Sequence, residues 1–448
     1  MQNTLLQKAA LIALILVLLK GLLMAIGSVV DERSLRQQAV VREIASSQYG
    51  PQVFAGVVLT IPYVEEYEET VSADGGSRTE KRRIERTLRL YPEQSEIRGE
   101  TAIGIKSRGL FKARMFDLNA SVKGEFVLGA ARFQRTKAHS QITWEPAVLS
   151  VILSDPRGLI GMPSIQWDGE TLAFQRGSAL PNLASGVHAR VARIDPGQPQ
   201  RHAYALKIGL RGSESLSFVP LAGSNHIALQ SPWPHPSFSG QFLPDPQTQQ
   251  VSADGFTAEW QVSALASRAQ QQLSAQFERP AECADAICAE RVTVRFIEPI
   301  DIYALSDRAI KYGLLFIVLT FGCFVLFEVL KRLPIHPAQY FLVGLAMAVF
   351  FLLLIALSEH LAFAFAYLGA SCACTALLGI YLSAVLRSPG RGMAFGALLT
   401  LLYGALYGLL VSEDSALLLG ALLMFGMIAL AMVATRKIDW YALNAAKS

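Results

Sequence analysis

Residues 9–30 read AALIALILVLLKGLLMAIGSVV, twenty-two residues interrupted only by Lys20. A bilayer core about 30 Å thick needs about 20 apolar residues in helix, so this stretch is long enough to cross. Nothing comparable follows until Lys311. Apolar runs then crowd together at 312–330, 341–357, 361–386, 393–411 and 415–434. The pattern predicts a membrane protein with six helical spans: one N-terminal anchor, a large polar insert, then a compact five-helix bundle. The expected organisation is 1–30 for the cytoplasmic end and anchor, 31–311 for the insert, 312–434 for the bundle and 435–448 for a tail. The rival reading of 9–30 is a cleaved signal peptide, with Ala25 and Gly27 as a weak cleavage site. A signal h-region runs only roughly 7–15 residues, and the longer run favours a retained anchor.

Charge follows the same division. The 448 residues carry a net charge of +4, with 17% charged residues and a mean hydropathy of +0.34. The segment 31–311 holds 31 basic and 31 acidic residues, and the remainder holds 9 and 5, so the whole excess lies in the membrane part. One set of short connections carries Lys331, Arg332, Arg387, Arg391, Arg436, Lys437 and Lys447, and Lys8 flanks the first span on that side. The other set carries Glu359, Glu413 and Asp414 and no basic residue. Lys and Arg accumulate on cytoplasmic loops. Both termini are therefore expected in the cytoplasm and 31–311 outside it. A single soluble globule, a disordered chain and a strongly basic nucleic-acid binder are excluded.

Within the insert, 31–48 continues as a helix with a loose stripe of Leu35, Ala39 and Ile44, and Gly50-Pro51 ends it. The period then changes to two. The runs 57–63, 87–90, 100–106, 121–127, 204–210, 256–262 and 291–296 read as strands, separated by Gly, Pro, Asn and Ser clusters. Such a series implies a mostly antiparallel β domain. Its size and the Gly/Pro/Asn content near 180–200 suggest a junction there between two β subdomains. Cys283 and Cys288 lie in this insert, and an oxidising compartment with an even cysteine count favours a disulfide over two free thiols.

No glycine-rich phosphate loop, His-Glu-x-x-His motif or serine nucleophile elbow is present, and the seven histidines are scattered. No cofactor or metal is expected, and no catalytic constellation is readable. Four local features are candidates. The first is Trp233, Pro234, His235, Pro236, Ser237 and Phe238, either an exposed recognition loop for a partner or a stiff crossover that packs its aromatics. The packing reading is favoured because buried aromatics mostly serve cores. The second is Asp307, Arg308, Lys311 and Tyr312 after Ser306. It could couple the outer domain to the bundle, or simply form a helix N-terminus with Ser306 as cap and Tyr312 in the interfacial belt. The third is Ser358, Glu359 and His360, able to move protons but better read as a solvated turn. The fourth is the pair of ionisable residues within spans, Lys20 and Glu328. Snorkelling suits Lys20, and a depth difference of roughly 10 Å along the helix axes argues against a direct bridge between them.

Several of these stretches carry a resemblance. They are Gly50-Pro51-Gln52; Trp233 to Phe238 followed by Gly240, Phe242, Leu243 and Pro244; Asp307-Arg308-Ala309 with Lys311-Tyr312; and His336-Pro337 with Gln339-Tyr340. Ala356 to His360, Ser415 to Gly420 and Ile438 to Tyr441 complete the set. On these the chain resembles the CreD family, inner-membrane proteins of Gram-negative bacteria linked to cell-envelope integrity. Lys20 and the Cys283/Cys288 pair fall outside the pattern. The resemblance implies residence in the bacterial inner membrane with 31–311 in the periplasm. It also implies a part in a two-component envelope or nutrient response and altered colicin and β-lactam sensitivity. It brings no catalytic mechanism and hence no catalytic residue. The expected function is non-enzymatic: the β domain binds an envelope protein or other envelope component, while the lipid bilayer holds the bundle. The alternative is a transporter or a lipid or envelope-precursor handling protein built on the bundle, with Lys20, Glu328, Glu359 and His360 as its residues. A membrane enzyme acting on envelope polymers is a third reading.

Overall fold

The computed structural model describes all residues except 1, 74–75, 130–134, 138, 280–286, 298–301, 332–334, 387, 413–415 and 437–448. The chain forms two compact units. One comprises residues 1–38 and 300–448, the other 39–299. The first boundary falls inside the helix Gln2–Ser47, and the second just before the helix that begins at Ile302.

The first unit is helical. Helix α1 (Gln2–Ser47) supplies the N-terminal span, and α3 (Ile302–Lys331), α4 (Pro337–Ser358), α5 (Phe363–Val385), α6 (Pro389–Val411) and α7 (Ala416–Thr435) supply the bundle. Among the described residues, α1 and α3 to α6 are long and apolar enough to cross a membrane, and α7 is a sixth helix of 20 residues without a charged side chain. In α1, Ile15, Leu19, Leu23, Ile26 and Val30 are buried, which is one face at a spacing of three and four. Of the stripe expected at its far end, Ile44 is buried and Leu35 is exposed. Gly344 of α4 lets Leu19 of α1 approach, since a Cβ there would meet the leucine. Aromatic contacts tie the other helices together: Phe324 lies 4.9 Å from Tyr340 and 5.5 Å from Phe395, and Phe350 lies 4.6 Å from Tyr403. His336 and Gln339 form a capping box at the start of α4, with Pro337 in the first turn.

The second unit is mostly β, in two sheets. The nine-stranded sheet holds β1 (Gln52–Ala73), β2 (Gly76–Leu90), β5 (Gln141–Trp144), β6 (Pro146–Leu153), β9 (Gln175–Arg176), β10 (Gly186–Arg193), β12 (Ser215–Val219), β14 (Pro236–Gly240) and β17 (Val292–Phe296). The eight-stranded sheet runs in the order β15 (Gln250–Ser252), β16 (Gly255–Ser263), β13 (Ser224–Ser231), β3 (Gln94–Arg108), β4 (Phe111–Leu128), β11 (Gln200–Ser213), β7 (Leu159–Trp167), β8 (Glu170–Ala173). Pairing is antiparallel except β1 with β12 and β3 with β13. Strands of the two sheets alternate along the chain, so no cut near 180–200 separates two β subdomains. A single core between the sheets, including Phe54, Phe116, Phe126, Leu149 and Trp260, serves both.

The two sheets are covered differently. Helix α2 (Ala269–Glu278) lays Ala269, Leu273 and Phe277 on the outer side of the nine-stranded sheet, against Val53, Ala55, Val58 and Ile152. Strand β1 is thus buried on both faces over 52–61, which is why 57–63 reads as a continuous apolar run instead of an alternation. In the eight-stranded sheet, β3, β4, β11, β13 and β16 alternate strictly between buried and accessible positions over their central residues. Among the described residues of this unit, the sheet's outer positions stay accessible.

Candidate functional site

The ionisable residues of the helical unit are held in two clusters. Glu328 accepts hydrogen bonds from Lys8 and from the Tyr340 hydroxyl (2.9 Å), and Lys8 also donates to the Ile335 carbonyl (2.7 Å). Glu359 accepts from the Tyr303 hydroxyl (3.1 Å) and faces Arg33 at 3.7 Å. Its side chain is 10% exposed, so the solvated turn expected at 358–360 describes His360, which is exposed, but not Glu359. Ser358 is buried and donates to the Ile355 carbonyl. Each cluster joins α1 to the bundle, and Lys8, Arg33, Tyr303 and Tyr340 are partners that single-residue patterns in the sequence do not reveal. Lys20 is exposed on α1.

Ser306 does not cap α3. The helix starts at least a turn earlier, and the Ser306 hydroxyl donates back to the Ile302 carbonyl at 2.7 Å. Asp307 and Lys311 form an i,i+4 pair at 2.6 Å, and Arg308 and Tyr312 are half-buried on the same helix.

The 233–238 stretch is built into the β unit. The Trp233 indole N–H donates to the carbonyls of His235 (3.0 Å) and Ile297 (3.1 Å), and the Arg114 guanidinium lies over its ring. Phe238 packs edge-on against Phe256 and Trp260. Pro236 and Ser237 open β14, the edge strand paired to β17, while His235 is exposed and Pro234 half-buried. Both aromatics are half-buried and pack against the core between the sheets. Cys288 is disulfide-bonded; Cys283 lies outside the described residues.

Gly50-Pro51-Gln52 forms a hub where the strands begin. The fully buried Gln52 carboxamide donates to the carbonyls of Asp155 (3.1 Å) and Arg211 (2.7 Å). The Gly50 amide donates to the Asp155 carboxylate at 3.3 Å. Hydrogen bonding from Arg157 outweighs partial burial, and together with the Gly50 amide it holds the Asp155 carboxyl below the usual carboxylate range.

A broad recess lies on the outer face of the eight-stranded sheet. It measures about 990 Å³ and crosses β16, β13, β3, β4, β11 and β7. Small side chains make its floor: Ala228, Ser121 and Gly209 face outward beside Arg98, Lys207 and Glu259. Arg98 pairs with Glu96 at 2.6 Å and His226 faces Glu259 at 3.3 Å. No cluster of three or more His, Cys, Asp or Glu suited to a metal occurs among the described residues. Sequence alternation marks which of these residues face outward. It does not say that β3 lies beside β13, some 130 positions away in the chain.

Comparison with known proteins places these features in a family. The family model described as "Inner membrane protein CreD" matches residues 4–441. The inner membrane protein CreD of Escherichia coli (strain K12) is 34% identical over 425 residues, covering 95% of this chain and 91% of that protein. Among solved structures, an M1 zinc metallopeptidase from Deinococcus radiodurans aligns over 46% of this chain and 42% of its own, at 9% identity and a TM-score of 0.20. That likeness transfers neither fold nor zinc nor peptidase chemistry. The near-complete family match and the identity shared along almost the whole length agree with the apolar helices and the large β unit: the chain belongs to the CreD family of inner membrane proteins.

Proposed function

We propose that this chain supports the integrity of the cell envelope without catalysing a reaction, holding an envelope component on its β unit while its helices anchor it in the inner membrane. The observation that carries the reading is the recess of about 990 Å³ on the open face of the eight-stranded sheet. A recess of that volume is at the upper end of ordinary ligand sites, and its polar lining suits binding. The basic and acidic connections support the orientation: both termini in the cytoplasm and the β unit in the periplasm.

The lipid-handling alternative draws on a second recess of about 570 Å³ between α5 and α6, lined by Tyr367, Ser371, Cys372, Thr375 and Tyr407 among others. Its candidate acids point elsewhere: Glu328 and Glu359 each hold α1 to the bundle, and a carboxylate so engaged is a poor proton or ion carrier.

The test is complementation. In cells lacking this chain, the intact protein restores growth in an envelope-damaging detergent. Ala228→Trp fills the floor of the large recess from the outer face and should reach the membrane at the same level without restoring growth. Full restoration by that variant overturns the reading.

A further inference from the structure

The open face carries a row of polar side chains set by strand register. Thr257 of β16 pairs with Gln230 of β13, Gln230 with Glu100 of β3, and Glu100 with Asn119 of β4. A hydroxyl, an amide, a carboxylate and an amide therefore stand side by side, about 4.8 Å apart from strand to strand. All four line the recess. No hydrogen bond within the protein engages any of the four side chains among the described residues. The next row along the strands runs Glu259, Ala228, Arg98, Ser121 and Lys207 in the same register.

We propose that this face binds a glycan chain lying across the strands, and the proposal rests on the binding function given above. Three properties of the face select that ligand. First, Thr257, Gln230, Glu100 and Asn119 are each paired to a strand on both sides, so the backbone beneath the row is consumed by the ladders. A peptide strand has no free edge to pair with here, and recognition falls to side chains. Second, Glu100 and Glu259 balance Arg98 and Lys207. That balance disfavours a polyanion, whereas a chain of hydroxyls can donate to the carboxylates and accept from the amides and cations. Third, the spacing matches: successive rings of an extended β-linked glycan advance by about one strand spacing, and the width from β16 to β11 is about 19 Å. At one end of the recess the β7 bulge presents Ile160, Met162 and Pro163, with Met162 99% exposed. They offer an apolar wall for the C–H face of a sugar ring.

The experiment uses the full-length protein in detergent micelles. The probes are insoluble cell-wall material, the same material stripped of its peptides, and soluble β-1,4-linked N-acetylglucosamine oligomers of increasing length. The protein is expected to sediment with both wall preparations. The oligomers should compete, with affinity rising with length until the row is spanned. Gln230→Ala with Asn119→Ala should weaken binding about tenfold, two hydrogen bonds being lost, and Ala228→Trp should abolish it. Both changes lie on the outer face, so the melting temperature should stay unchanged. Sedimentation with intact but not stripped wall would assign a peptide ligand and overturn the glycan inference, leaving the binding function standing. Sedimentation with neither would overturn the glycan inference and leave the binding function to the complementation test. Glycan binding indifferent to all three substitutions would move the site off this face.

Discussion

Gln52 sits where the chain leaves α1 and begins β1, and its carboxamide is the donor for two carbonyls, those of Asp155 and Arg211. Gln52→Leu keeps the volume but leaves both carbonyls without that donor. A loss of about 2–4 kcal/mol follows, read as a lower melting temperature of the β unit and faster proteolysis near Asp155. Glu65 makes the β unit sensitive to pH. Its fully buried carboxylate would be pushed up by burial alone. Hydrogen bonds from Ser140 and Thr136 and the charge of Arg86 outweigh this and hold it below its ordinary value of 4.5. A depressed carboxyl stabilises the fold above the unfolded value, and that contribution disappears as pH falls through the folded one. Hydrogen exchange at the Thr136 amide, which donates to Glu65 at 2.7 Å, should accelerate below about pH 4.5. In Glu65→Gln the acid-dependent rise should vanish.

Elements explain what single residues left open. Apolar runs locate α4 to α7 to within about four residues, whereas α1 and α3 begin well before theirs. The actual partner of Glu328, Lys8, came from the flank of the first span, because helix ends, unlike helix middles, are brought together by packing that no local pattern encodes. The long β1–β2 hairpin is not legible from apolar alternation. Acidic β1 lies against basic β2, with Glu66 opposite Arg83 and Glu68 opposite Lys81, so charged residues pair across the strands. The Lys8–Glu328 clamp is testable as a unit. Lys8→Met and Glu328→Leu should each destabilise the helical unit, since each leaves one part-buried charge alone. The double variant should recover at least about 1 kcal/mol of the summed loss, measured as the fraction of folded protein surviving heating in detergent. Strict additivity would show that the pair does not hold α1.

At the scale of the whole molecule, composition was the most legible signal. A neutral segment of ordinary charge density between apolar ends marks a polar insert inside a membrane protein, and the period-two runs within it mark that insert as β. The arrangement of the sheets was not legible. Interleaved strands mean that neighbours in space are distant in sequence, and the open face emerges only once register is known. The proposed orientation rests on charge alone and is open to direct test. Met162 on the β7 bulge is exposed on the β unit, and Gly390 is exposed at the start of α6 beside the basic connection of Arg391. In a Cys372→Ser background, Met162→Cys should react with a membrane-impermeant thiol reagent in cells with a permeabilised outer membrane. Gly390→Cys should react only after the inner membrane is opened. The reverse pattern would place the β unit in the cytoplasm, where the basic loops could no longer be an orientation signal and the recess would have no access to the envelope polymer proposed for it.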